Sequence, residues 1–324
     1  MSHKDGPLRV LLHYDRTELF EDVVKSRFPD ADVRCCASYA DLAPALETFA
    51  PEVLFCIKFE SLAYPREALM SCRTLRWVAN GGAGVDHLAP WDAKRLTVTN
   101  ASGVASDMMA EYVLGGMLAL AIGFPRFVRA MGERRWQFRH VAGISGKRVA
   151  VVGLGRTGRA VARLAARFRM QVVGVRARPT ATAHVQQVFP ADRLHDALDG
   201  ADFVVVCAPL TDATRHLVDR RALQAMKPGA FLVDVSRGGV VDQSALAEAL
   251  SSGHLEGAVV DVFEEEPLPA SSPLWDMPNV VVTPHCSSVY RGWERRAAEM
   301  FCDNLERWRA GRRLRNVVHP ARGY

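Results

Sequence analysis

The segment Val149-Ala150-Val151-Val152-Gly153-Leu154-Gly155-Arg156-Thr157-Gly158 constrains this chain more than any other. An apolar β-type run leads straight into Gly-x-Gly-x-x-Gly, and a helical pattern, Thr157 to Phe168, follows it. Each glycine has a physical reason. Gly153 permits a tight turn after the strand, Gly155 lets the backbone approach a pyrophosphate, and Gly158 lets helix and strand pack closely. The phosphates then rest on the amides and positive end of the helix, with Leu154, Arg156 and Thr157 completing the loop. Turns collect glycine, so the motif alone is weak evidence. A strand before it and a helix after it make it a dinucleotide site.

The same alternation continues around it. Strands are predicted at Lys147 to Val152, Gln171 to Val175, Phe203 to Cys207, Ala230 to Val235, Gly257 to Asp261 and Val280 to Thr283. Helical segments lie between them, including Gln243 to Ser251. Earlier in the chain, Leu8 to His13, Val53 to Ile57, Leu75 to Ala79 and Leu96 to Thr99 read as strands, and Thr17 to Arg27 as a helix. Ser106 to Met131 reads as helical, interrupted near Gly123 and Pro125, and Val289 to Ala310 as a final helix returning to the first domain. Repeated βα units build open parallel sheets covered by helices. A chain of 324 residues is long for one core, so two domains follow. The expected fold class is α/β: two Rossmann- or flavodoxin-like domains with doubly wound parallel sheets and a cleft between them. One domain comprises 1–104 plus 286–324, and the dinucleotide-binding domain comprises 105–285.

Composition narrows the class of partner. Hydrophobic residues make up 49% and charged residues 24%, the balance of a soluble globular protein. The apolar stretch Tyr112 to Ile122 falls well short of the ~20 residues a bilayer needs, and Met1 to Asp5 lacks a signal-peptide core. The seven cysteines are scattered without metal-ligand spacing, so neither a zinc site nor a disulfide framework is expected. The expected compartment is therefore the cytoplasm. The net charge of +5 is spread along the chain without a basic tail, which argues against nucleic acid as a partner.

The strand after the glycine loop, ending Val172-Val173-Gly174-Val175, bears on the cofactor. A carboxylate at its end would accept from the ribose 2′-hydroxyl of NAD. Here the strand ends in Arg176, with Arg178 two residues on. Guanidinium groups suit a 2′-phosphate, so NADP(H) is favoured and NAD(H) stays open. Both arginines also read as ordinary solvated loop residues.

Three further positions lie at or just beyond strand ends of the same predicted sheet: Arg237 in Ser-Arg-Gly-Gly, Glu266 in Asp-Val-Phe-Glu-Glu-Glu-Pro-Leu, and His285 in Thr-Pro-His. Reducing a 2-oxo acid needs a hydride at C2, a proton for the carbonyl oxygen and a cation for the carboxylate. A histidine donates that proton near neutral pH, a glutamate beside it orients the ring, and an arginine grips a carboxylate in paired hydrogen bonds. Taken singly, a strand-capping arginine, a surface glutamate and a loop histidine are equally ordinary. Their joint occurrence in this order is not.

The ordered motifs Gly-x-Gly-x-x-Gly, Ser-Arg-Gly, Asp-Val-Phe-x-x-Glu-Pro-Leu and Thr-Pro-His resemble the D-isomer-specific 2-hydroxyacid dehydrogenase family from about Asn80 onward. The resemblance implies that Arg237, Glu266 and His285 are catalytic, and that Arg237 and His285 also touch substrate. It implies a cofactor lined by Cys207, Ala208 and Pro209, by Val235 and Ser236, and by Asp261 facing the nicotinamide carboxamide. Asp261 also reads as a buried strand-end acid. The resemblance further implies that the backbone of Gly82, Ala83 and Gly84 holds the substrate carboxylate, a plain loop being the competing reading. It implies a homodimer formed through the cofactor domain, to which Met109 to Leu120 would contribute. The arginine pair points to the glyoxylate- and hydroxypyruvate-reducing members, while Cys286-Ser287-Ser288-Val289-Tyr290 makes the surroundings of His285 more polar than is usual there. The function expected is reduction of a small 2-oxo acid to the D-2-hydroxy acid, or the reverse. A nucleotide-sensing binding protein of the same fold, or a formate or phosphite dehydrogenase, is the alternative.

Overall fold

The structure is a computed structural model that describes residues 6–59 and 62–320. The chain divides into two compact units, Met1–Val104 with Arg291–Tyr324, and Ala105–Tyr290. Each is a parallel sheet with helices on both faces, as the βα alternation requires.

In the first unit the strands are β1 (Arg9–His13), β2 (Asp32–Cys36), β3 (Val53–Cys56), β4 (Trp77–Asn80) and β5 (Thr97–Asn100). They lie in the order β2-β1-β3-β4-β5, all parallel. Helices α1 (Glu21–Arg27), α2 (Tyr39–Phe49) and α3 (Arg66–Ser71) connect them. The period of two sorts the strand residues between faces. Val10, Leu12, Val53, Phe55 and Trp77 meet Phe20 and Val24 on one side, while Leu11, Leu54, Val78 and Val98 meet Leu42, Leu46 and Leu69 on the other.

Two segments depart from the sequence reading. Thr17 to Arg27 is not one helix: a 3₁₀ turn at Thr17–Leu19 is separated from α1 by Phe20, whose φ of −151° leaves the helical region and whose side chain is completely buried. The last helix begins later than Val289, because Gly292 takes a left-handed conformation that ends the preceding loop.

The second unit holds the longer sheet. Helix α4 (Ser106–Ile122) ends at left-handed Gly123 and is followed directly by α5 (Phe124–Gly132), the break falling where glycine and proline predict it. Strands β6 (Arg148–Val152), β7 (Gln171–Val175), β8 (Gln187–Phe189), β9 (Phe203–Val206), β10 (Ala230–Asp234), β11 (Leu255–Val260) and β12 (Val280–Val282) follow. Between them run α6 (Arg156–Arg167), α7 (Leu194–Leu198), α8 (Arg220–Ala225) and α9 (Gln243–Ser251). The order is β12-β11-β10-β9-β6-β7-β8, all parallel, so the winding reverses between β6 and β9. Ligands bind outside the carboxyl ends of strands at such a reversal.

Helix α10 (Trp293–Arg309) belongs to the first unit. Phe301 stacks on Phe55 at 5.0 Å and lies 5.3 Å from Trp77, closing that face of the core. Arg27 reaches Asp303 and Glu306 across the α1–α10 contact, and Arg309 reaches Asp30. No single helix among the described residues is long and apolar enough to cross a membrane.

Candidate active site

Register fixes where the glycine loop lies. Val152 of β6 pairs with Val206 of β9, so Gly153 and Cys207 leave the sheet side by side at the reversal. The backbones touch there. A Cβ on Gly153, whose φ is +102°, would come within 2.7 Å of the Ala208 nitrogen. One on Gly158 would fall 2.0 Å from the Gly153 carbonyl oxygen. Gly155 is different: nothing lies within 4 Å of the space its side chain would take. The N-terminus of α6 next to it has no side-chain cap. An open cradle over uncapped amides fits a pyrophosphate.

The other expected cofactor residues lie on the same sheet edge. Arg176 and Arg178 follow β7; Arg176 donates to Thr180 at 3.0 Å and Arg178 is exposed. Cys207, Ala208 and Pro209 follow β9, where burial pushes the Cys207 thiol up to about 12 and keeps it a neutral hydrophobe. Val235 is part of the core, and Ser236 donates to Asp234 from both its amide and its hydroxyl.

Next along the sheet, β10 and β11 deliver the polar groups. Gly238 comes so close to the chain after β11 that a Cβ would sit 1.7 Å from the Phe263 oxygen. This packs the Arg237 loop against the Glu266 loop. Glu266 is fixed at both oxygens: Oε1 accepts from the Phe263 amide at 3.0 Å, and Oε2 meets Nδ1 of His285 at 2.8 Å. Partial burial pushes the Glu266 carboxyl up. The hydrogen bonds from His285 and Phe263 and the charges of His285 and Arg237 outweigh that and hold it below the usual carboxylate range. Because a carboxylate only accepts, Nδ1 of His285 carries the hydrogen, and Nε2 is the atom left to exchange a proton. Arg237 is half-buried and donates to its neighbour's carbonyl, Ser236 O, at 2.8 Å.

His285 itself sits at φ +50°, a left-handed conformation that a non-glycine residue adopts at a cost. Asp261 accounts for it. This residue is fully buried, and its carboxylate accepts from the Thr283 hydroxyl and the amides of Cys286 and Ser287, while its carbonyl accepts from the His285 amide. The Asp261 carboxylate thus holds the histidine turn, and segment 286–290, expected with the first domain, stays with the second unit. Tyr112 of α4 braces the turn from behind through Thr283.

Asp234 was not singled out from the sequence. It ends β10 beside Asp261, fully enclosed, with Ser236 donating to it from both amide and hydroxyl. Burial raises its carboxyl to about 7, with the Asp261 charge adding to the effect and the Ser236 bonds and Arg237 opposing it. Two acids at neighbouring strand ends of one predicted sheet were the available signal.

Gly82, Ala83 and Gly84 belong to the first unit, in the loop after β4. Their carbonyls are turned into the fold: Asn80 Nδ2 donates to Gly82 and Gly84 at 3.0 and 2.7 Å, and Asn100 Nδ2 to Ala83 at 2.7 Å. Their amides make no hydrogen bond among the described residues. With the carbonyls engaged by the fold, the amides of this loop remain available to an anion.

Comparison with known proteins decides the family. Residues 114–287 match the D-isomer specific 2-hydroxyacid dehydrogenase, NAD binding domain. The chain belongs to the D-isomer specific 2-hydroxyacid dehydrogenases. It is 34% identical over 264 residues to the glyoxylate reductase of Korarchaeum cryptofilum, covering 78% of this chain and 79% of that one. It is 33% identical over 259 residues to the D-3-phosphoglycerate dehydrogenase of Methanocaldococcus jannaschii, covering 78% of this chain but only 49% of that relative, about half its length. The crystal structure of a D-isomer specific 2-hydroxyacid dehydrogenase from Xanthobacter autotrophicus Py2, in complex with NADPH and MES, superposes with a TM-score of 0.84 at 36% identity, over 97% of this chain and 99% of that one. As in other 2-hydroxyacid dehydrogenases, the second unit is the one that binds a nicotinamide dinucleotide.

The raised carboxyl of Asp234 generates a pH dependence of stability. A carboxyl whose pKa is raised on folding binds its proton more tightly in the folded chain, so stability falls as pH rises from about 4 towards about 7 and stays reduced above it. Asp234→Asn keeps an acceptor for Ser236 and removes the charge. The variant is expected to be more stable than the parent by a few kcal/mol at pH 8, the gap narrowing towards pH 4. Denaturant titrations at several pH values measure this, and a gap that does not change with pH would refute it.

Proposed function

We propose that this dehydrogenase reduces a small 2-oxo acid of the glyoxylate or hydroxypyruvate kind to the D-2-hydroxy acid with NADPH, or runs the reverse reaction. The observation that carries the reading is the Glu266–His285 pair, whose Oε2–Nδ1 bond of 2.8 Å leaves Nε2 as the exchangeable site on the sheet edge that bears the phosphate cradle. The cofactor, when bound, supplies the hydride to C2. His285 Nε2 gives its proton to the carbonyl oxygen as the carbon is reduced and takes it back in the oxidative direction. Glu266 fixes the ring and stabilises the imidazolium form. Arg237 pairs with the substrate carboxylate and polarises the carbonyl, and the free amides of Gly82, Ala83 and Gly84 share that carboxylate. The similarity to a glyoxylate reductase supports the choice of substrate class.

Steady-state oxidation of NADPH and NADH with glyoxylate, hydroxypyruvate, pyruvate and phenylpyruvate tests the reading. Turnover is expected with NADPH, and His285→Ala should lower kcat by about 100-fold or more. Glu266→Gln should lower it less. NADPH binding without turnover of any acid would favour a nucleotide sensor instead.

Preference for NADPH rests on Arg176 and Arg178, which follow β7 where a carboxylate would stand for NAD. A relative crystallised with NADPH supports it. Replacing both by alanine should raise the KM for NADPH about tenfold or more and change that for NADH much less. Equal effects on both cofactors would remove the arginines from the 2′-phosphate site.

A second copy of the chain is the partner proposed for α5 and the segment after it. Phe124, Val128, Met131, Trp136 and Phe138 are all exposed there, and helix α4 contributes less exposed apolar surface than expected. Light scattering at micromolar concentration should give twice the chain mass, and Val128→Asp with Met131→Asp should halve it. A monomeric parent would end this assignment.

A further inference from the structure

The five-stranded sheet also reverses its winding, between β1 and β3. A crevice therefore opens beyond their carboxyl ends, the place where open parallel sheets bind ligands. β1 leads into it with His13 and Tyr14, and β3 with Ile57, Lys58 and Phe59.

The floor of this crevice is uncharged. His13 is fully buried; Nε2 donates to the Ser38 carbonyl at 3.2 Å, so Nδ1 accepts from the Tyr64 hydroxyl at 2.7 Å. Burial lowers its pKa to about 4, so it is neutral at physiological pH. The surroundings are aromatic. Tyr39, Phe59 and Tyr64 lie within 5.6 Å of the His13 ring, centroid to centroid. They also pin the loop after β3, because the Phe59 amide donates to the Tyr39 hydroxyl at 3.2 Å.

Lys58 stands on that pinned loop. It is exposed, and it has no hydrogen-bond or carboxylate partner among the described residues. Its neighbour across the sheet is the glycine loop: Cys56 pairs with Asn80, and the Gly81 amide donates to the Cys56 carbonyl at 2.8 Å. Lys58 thus follows the strand that neighbours the glycine loop, and among the described residues neither its ammonium nor the Gly82, Ala83 and Gly84 amides have a hydrogen-bond partner.

We propose that Lys58 is a specificity residue that takes a second anionic group on the substrate, such as a carboxylate, sulfonate or phosphate on C3. The 2-oxo acid this enzyme handles best is then a dianion, its C1 carboxylate on the glycine-loop amides and its distal anion on Lys58. This deepens the 2-oxo acid reading above and rests on it. A lysine suits the task because its compact charge on a flexible stem accepts anions of differing geometry.

The test uses the whole chain with NADPH and compares oxaloacetate and 3-sulfopyruvate with glyoxylate and pyruvate. The parent should show higher kcat/KM for the dianions. In Lys58→Met the ratio of dianion to monoanion kcat/KM should fall roughly ten- to a hundredfold, mainly through KM, and Lys58→Arg should restore most of it. A ratio unchanged within about twofold overturns the proposal, whether both rates hold or both fall together. Binding provides a readout independent of turnover: D-malate and D-lactate are titrated onto the NADPH-loaded protein and followed by nicotinamide fluorescence. If the parent reduces glyoxylate but favours neither dianion nor D-malate, the Lys58 assignment fails and the reductase reading stands. If no acid is reduced, the reductase reading fails, and D-malate binding that ignores Lys58→Met ends the Lys58 assignment as well.

Discussion

The carboxylate of Asp261 is the constraint on which the candidate active site depends. It is sealed from water, yet it accepts from a hydroxyl and two amides of the turn that carries His285. Burying a lone charge costs far more than one hydrogen bond returns, so all of these donors are needed together. Their joint requirement fixes the turn. That is how a histidine with φ of +50° is held in a conformation the free chain would leave. An amide in place of the carboxylate would accept at one atom only and bring two hydrogens facing amide donors.

The second support is a close approach of backbones. Gly238 lets the loop of Arg237 touch the chain at Phe263, and the Phe263 amide in turn holds Glu266. Arg237, Glu266 and His285 come from three separate loops, after β10, β11 and β12. Each is placed by backbone contacts to its neighbours rather than by long side chains reaching across. Site residues mounted on adjacent strand ends share the rigidity of the sheet, and hydride and proton transfer need that precision.

The extent to which this was legible in the sequence follows burial and length. β7 and α9 lie where the patterns Gln171 to Val175 and Gln243 to Ser251 placed them, because apolar runs bounded by turn residues are unambiguous. β2, Asp32–Cys36, gave no such signal: it is an edge strand with two exposed positions and an arginine in its middle. β8 is three residues long at the other edge. α2 carries Pro44 in its first turns, which weakens a helical pattern that the Ser38 cap restores. For the site, residue types in motif order point to Arg237, Glu266 and His285, since their chemistry is in their side chains. The work of Asp261 and Asp234 is geometric: their places at neighbouring predicted strand ends bring them together, but only the fold shows that both are enclosed side by side.

That shared space bears on how the site holds charge. Asp261 has three donors and Asp234 only the amide and hydroxyl of Ser236. Burial therefore pushes the Asp234 carboxyl up, the Asp261 charge beside it adds to that push, and Ser236 and Arg237 oppose it. Whenever Asp234 holds a proton, Arg237, three residues on, has one negative charge fewer near it. Its guanidinium then keeps more of its attraction for an anion arriving from solvent. An acid enclosed at a strand end thus tunes the charge that the neighbouring loop presents without itself reaching a ligand.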